Sequence, residues 1–115
     1  KIDCELELDL INQELFDALN KLAPFGYGNP EPTFLAKNVV IEDMRIVGKD
    51  GKHVKLELRI MNHESRIGGI MFNHDQSLKL KIGDNVDIVY TISQNEWNGN
   101  KKLELKIKEI ARGSS

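Results

Sequence analysis

Three kinds of side chain in this sequence are candidates for chemistry: the histidines, the single cysteine, and a set of cations interleaved with aromatic rings. His63 and His74 stand in similar settings, Asn62-His63-Glu64 and Asn73-His74-Asp75, and His53 lies between lysines. Two imidazoles with nearby carboxylates can hold a divalent metal. Here the two sit beside separate turn signals, so they read as solvated loop residues and no metal site is expected. Cys4 has no base near it in sequence, which argues against a nucleophilic thiol. No G-x-S-x-G, glycine-rich phosphate loop or cysteine–histidine motif occurs. The sequence therefore predicts no catalytic residue and no cofactor for this chain.

The cations and aromatics are more informative. Lys49, Lys52, His53, Lys55, Arg59 and Arg66 cluster in one stretch, and Phe72, Trp97, Lys101 and Lys102 follow. Lysine and arginine pair with phosphates, and aromatic faces stack bases, which is how single strands of nucleic acid are held. These ten residues are the candidate nucleic-acid contacts. A plainer reading stands beside this one: lysines on the wet face of a strand often serve solubility alone. Phe72 equally suits a core, and Trp97 equally suits packing on a barrel rim.

The elements that must position these residues are mostly strands. Strands are expected at about 34–47, 53–61, 65–72, 85–94 and 101–110. Val54, Leu56, Leu58 and Ile60 alternate with His53, Lys55, Glu57 and Arg59, and Leu103, Leu105 and Ile107 alternate with lysine and glutamate. One dry and one wet face per strand suits a small closed barrel. Gly48 to Lys52, Asn62 to Glu64, and a longer hairpin tipped by Asn98-Gly99 read as hairpin connections. The stretch 73–84 is too long for a tight turn and has room for a short helical turn. Gly68-Gly69 signals either a bulge or a close backbone approach. A three-strand meander, a longer crossing and a final hairpin match the five-stranded oligonucleotide/oligosaccharide-binding barrel, the OB-fold. That fold would present the candidate contacts on its second and third strands, between two loops.

Residues 1–32 read differently. The alternation at 4–10 predicts an extended segment, one that has lost its pairing partner if the chain is a fragment. Asn12 can cap a helix carrying the stripe Leu15, Phe16, Leu19 and Leu22, which should end before Pro24. All three prolines fall within 23–32, a stiff connector. The expected organisation is a helical lead-in and connector (1–32) ending a preceding domain, a barrel (33–110) and a tail (111–115).

With 115 residues and one cysteine, the chain suits one domain in a reducing, cytoplasmic setting. No apolar run is long enough to span a membrane. The net charge of −2 argues against strong non-specific DNA binding by the chain as a whole. It conceals an asymmetry, because residues 1–32 hold two lysines against seven acids and the rest is mildly basic. A structural or protein-docking barrel is the rival reading. The first residue is lysine rather than methionine, so a piece of a longer protein is expected.

The connector Leu22-Ala23-Pro24-Phe25-Gly26-Tyr27-Gly28-Asn29-Pro30-Glu31-Pro32, followed by Phe34, resembles a signature of the bacterial single-stranded-DNA-specific exonuclease family RecJ. Arg45-Ile46-Val47-Gly48, Lys55-Leu56, Ile70-Met71-Phe72-Asn73 and Asn95-Glu96-Trp97-Asn98-Gly99 are similar to later parts of that family. The resemblance implies an OB-fold module that binds single-stranded DNA and feeds it to catalytic domains outside this chain. Those domains would use Mn²⁺ or Mg²⁺ on DHH-type motifs, in 5′ to 3′ degradation during repair and recombination. No Asp-His-His occurs here, so the family's catalytic residues have no positions in this sequence.

Overall fold

The computed structural model describes residues 2–22, 31–61, 63–74 and 79–113. Most of the connector, 23–30, lies outside them, as do 75–78, where the short helical turn of the 73–84 stretch would fall. The described elements are β1 (Cys4–Glu5), a 3-10 turn (Leu8–Leu10), α1 (Gln13–Leu22), β2 (Phe34–Val47), β3 (His53–Ile60), β4 (Arg66–Met71), β5 (Asn85–Trp97) and β6 (Asn100–Arg112).

Strands β2 to β6 close into a barrel. The sheet runs β1-β2-β3-β4-β6-β5, and β2 pairs again with β5 to complete the circle. β2 serves both halves, pairing with β5 over Phe34 to Val40 and with β3 over Val39 to Val47. Two irregularities let it bend. Asn38, at φ 58°, lies within the shift between Ala36 and Val39, and its N–H donates to Asp87 Oδ1 at 3.0 Å. Glu42 is the extra residue between Ile41 and Asp43, a bulge that turns Asp43 and Arg45 to the outer face. Parallel pairing of β4 with β6, from Gly68↔Glu104 to Ile70↔Lys106, closes the other seam.

The interior follows from the period-2 pattern. Val39, Ile41, Leu58, Ile88, Tyr90 and Leu105 are fully buried, each aliphatic side chain contributing roughly 1.5–3 kcal/mol by leaving water. Gly69 faces this core: a Cβ there would lie 3.0 Å from Ile107 Cδ1 and 3.4 Å from Leu58 Cδ1. Pairing of β3 with β4 runs without a shift, so of the two readings of Gly68-Gly69 the close approach holds and the bulge does not. This register turns Met71 inward and leaves Phe72 half exposed.

The N-terminal segment caps one end of the barrel. Only Cys4 and Glu5 of the expected extended stretch form a strand, and they have a partner: β1 pairs in parallel with the start of β2. The chain then tightens into the 3-10 turn, burying Leu8. Asn12 caps α1 as its residue type predicts, Oδ1 accepting from Leu15 N–H at 2.8 Å. Phe16 and Leu19 pack against the core. The Tyr90 hydroxyl, inside the barrel, donates to Leu6 O at 2.8 Å. Burial pushes the pKa of that phenol well up, with a smaller contribution from Cys4.

Candidate nucleic-acid interface

Register fixes which outward side chains meet. Arg45, Lys55, Ile70 and Lys106 lie side by side across β2, β3, β4 and β6. The neighbouring row is Asp43, Glu57, Gly68 and Glu104. One step further, Arg59 stands opposite Arg66. The outer face is thus striped, with a cationic row, then carboxylates about a bare glycine, then two arginines.

The β5–β6 hairpin extends beside this face as an arm. From Tyr90↔Ile107 outward its ladder runs without a shift to Trp97↔Asn100, and Asn98 (φ 49°) and Gly99 (φ 79°) make the tight two-residue turn that their sequence encodes. The loop is therefore shorter than the sequence pattern implied, and both strands run to the tip. Strand alternation puts Trp97 on the same face of the arm as Ser93 and Asn95, and Trp97 is 73% exposed. Ser93 Oγ donates to Glu104 O at 2.9 Å, and Asn95 Nδ2 donates to Glu104 Oε1 at 3.0 Å, which stiffens the arm's base.

Between face and arm runs a groove of about 290 Å³, walled by Arg45, Lys55 and Lys102 and by Asp43, Glu57 and Glu104. Its floor is backbone at Gly68, where a Cβ would meet only Leu56 O, at 4.0 Å. A flat base or a sugar can approach such a floor closely. The cations suit phosphates, and the carboxylates and Asn95 can accept or donate to base edges.

The ten candidate residues divide. Lys55 and Lys102 line the groove, and Trp97 lies outside the lining, two residues further out along the arm than Asn95, which does line it. Lys49 and Lys52 belong to the β2–β3 turn, exposed and outside the groove lining. Lys101 pairs with Glu96 and lies on the opposite face of the arm from Lys102. His53 is half-buried, its ring edge-on to Phe72 at 5.2 Å and its Nδ1 accepting from Asn73 N–H at 3.1 Å. Register turns Phe72 outward, and this contact seats its ring against His53 at the start of β3. Arg59 and Arg66 line a separate shallow depression and share Glu42, which binds Arg59 Nε directly and lies 3.6 Å from Arg66.

Sequence reasoning missed Arg45, Asp43, Asn95, Glu104 and Gly68 as groove residues, and Glu42 as the partner of the arginines. Strict alternation from buried Val39 and Ile41 would turn Arg45 inward, and the bulge at Glu42 is what brings it to the outer face. Alternation from buried Ile41 already turns Glu42 outward, but nothing local signals the two arginines it meets, which come from other strands. Among the described residues no three His, Cys, Asp or Glu side chains converge on a point that could hold a metal ion.

A closed five-stranded barrel of this order, with a groove between its meander and its last hairpin, is an OB-fold. A small single-stranded DNA-binding protein from Streptomyces coelicolor shares the fold, at TM-score 0.55 and 14% identity over 76% of this chain and 96% of that one. The chain belongs to the RecJ OB domain family, whose pattern matches residues 2–109. The single-stranded-DNA-specific exonuclease RecJ of Bacillus subtilis is 36% identical over 112 residues. That match takes in 96% of this chain but 14% of the relative's length. RecJ from Thermus thermophilus, in a crystal structure with Mg²⁺, superposes at TM-score 0.63 with 26% identity, over 89% of this chain and 15% of that one.

Proposed function

We propose that this chain is the single-stranded-DNA-binding module of a RecJ-like 5′ to 3′ exonuclease, non-catalytic by itself, that guides the strand to DHH catalytic domains elsewhere in the parent protein. The observation that carries this reading is the groove: Arg45, Lys55 and Lys102 beside a glycine floor, with exposed Trp97 further out along the arm. In this reading the strand lies across Gly68, its phosphates toward the cationic row and a base on the Trp97 indole. Residues 1–32 would then be the end of the preceding region, 33–110 the barrel and 111–115 a tail. The parent would be a cytoplasmic enzyme of DNA repair and recombination.

The Thermus relative was crystallised with Mg²⁺ and with Mn²⁺. The described residues offer no donor set for such an ion. The metal chemistry of the parent would belong to its catalytic domains, and this chain's part is to hold and orient the strand.

Equal numbers of cations and acids in the groove lining, three of each, predict modest, salt-sensitive affinity. The test is fluorescence anisotropy of a labelled oligo-dT titrated with the chain at low and at moderate salt. Saturable binding that weakens with salt, and no strand cleavage with Mn²⁺, is the expected result. Absence of binding at low salt would overturn the proposal.

The same carboxylates favour a second reading, a barrel that braces the parent enzyme or recruits a protein. Deleting the domain from the parent separates the two. Lower DNA affinity supports strand binding, and unchanged affinity with lower thermal stability supports bracing.

A further inference from the structure

A second cavity, of about 310 Å³, opens beside the groove and shares Gly68, Lys102 and Leu103 with it. Its depth is apolar, made by Ile60, Ile67 and Leu103 at one end of the barrel and by Leu8 and Ile11 of the N-terminal segment that covers that end. Its lip carries Ser65, His63, Arg66 and Asp9. The volume is at the lower end of the roughly 300–1,000 Å³ range of small-ligand sites. Apolar walls with a few polar groups at the mouth suit a flat, weakly polar ring with polar edges.

We propose that this cavity is a nucleobase subsite, taking one unstacked base of the same single strand that occupies the groove. The inference rests on the reading of the groove as a DNA path. Continuity supports it, because a strand crossing Gly68 passes the cavity mouth one step later. Charge supports it too: Lys102 and Arg66 flank the mouth, placed for the phosphates on either side of an inserted base. The Ser65 hydroxyl and the His63 ring can then hydrogen-bond the base edge. One wall comes from the N-terminal segment, so an inserted base would touch both the barrel and its cap.

The test uses this chain and short oligonucleotides carrying 2-aminopurine at single positions, together with matched oligonucleotides with one abasic site. At one position the 2-aminopurine should brighten on binding as the base leaves its stack. The abasic site at that position should weaken binding by roughly five- to 150-fold, the size of one lost base contact. Ser65→Leu, at an exposed residue on the lip, should narrow the mouth, abolish the brightening and erase the abasic penalty without lowering the melting temperature. If wild-type chain binds, yet no position brightens and abasic sites are neutral throughout, the subsite is overturned while the groove stands. If Ser65→Leu leaves both signals intact, the base lies elsewhere and the subsite is likewise overturned. If wild-type chain binds no strand, the groove and the subsite fall together.

Discussion

Two adjacent glycines on β4 should respond in opposite ways to the same substitution. Gly69 points into the core, where a Cβ would stand 3.0 Å from Ile107 Cδ1 and 3.4 Å from Leu58 Cδ1. Valine there adds three carbons to a filled space, and overpacking of this kind costs about 1–3 kcal/mol. For a domain of this size that lowers the melting temperature by roughly 4–12 °C. Gly68 points into the groove, and its Cβ would meet only Leu56 O at 4.0 Å. Valine at Gly68 removes backbone freedom from the unfolded chain and suits an extended strand, so stability should hold or rise by up to about 1 kcal/mol. It should also raise the groove floor and separate a bound base from the backbone. Losing one such contact, about 1–3 kcal/mol, weakens binding by roughly five- to 150-fold. The assay pairs a thermal melt with an oligo-dT anisotropy titration for both variants. Gly69→Val should be less stable and Gly68→Val should be folded but deficient in binding. A Gly68→Val variant that binds as well as wild type would refute the groove as the DNA path. One that melts as early as Gly69→Val would refute the facing of β4.

Other substitutions probe single features of the same design. Trp97→Ala should weaken strand binding by about 1–3 kcal/mol with little change in melting temperature, because the side chain is largely in solvent; titration on oligo-dT with a melt as control checks it. Lys55→Glu should reduce the slope of log affinity against log salt by about 0.7 if the lysine holds one phosphate, read from titrations at several salt concentrations. Glu42→Gln should leave Arg59 and Arg66 less neutralised, so strand binding should strengthen at low salt and the gain should vanish at high salt. The raised pKa of Tyr90 has a pH consequence. Its folded value lies above its unfolded one, so the stability it contributes is complete below the ordinary phenol value near 10 and is lost as pH rises beyond it. Tyr90→Phe should flatten that alkaline limb of the melting profile. At neutral pH it should cost about 1 kcal/mol for the hydrogen bond to Leu6, and an unchanged neutral melt would show that this bond does not hold the cap.

Much of the fold was legible because its signals are local. Alternation along 53–60 and 103–107 placed dry and wet faces correctly, since the pleat has period 2 whatever the neighbouring strand. Asn12 announced the start of α1 and Asn98-Gly99 announced a hairpin, because each motif satisfies its own backbone. Part of the candidate site was legible for the same reason: Lys55, Lys102 and Trp97 lie on outward faces that alternation predicts. Lys101 and Lys102 were named together, yet neighbours on a strand face opposite sides, and it is Lys102 that lines the groove. Phe72 stayed ambiguous until register turned it outward and seated its ring against His53.

By itself, then, the sequence determined a mainly β chain with a capped N-terminal helix, outward cations on the central strands, and no motif for catalysis. Tertiary structure alone decided what those residues do to one another. Long-range register set carboxylates beside the cationic row and made the groove mixed rather than basic. A bulge at Glu42 turned Asp43 and Arg45 to the outer face, and closure of β4 on β6 gave the adjacent glycines opposite duties. The physical reason is common to all three. Backbone preferences and periodicity act within a few residues, whereas the surroundings of a side chain are set by strands that lie far apart in sequence and meet only when the barrel closes.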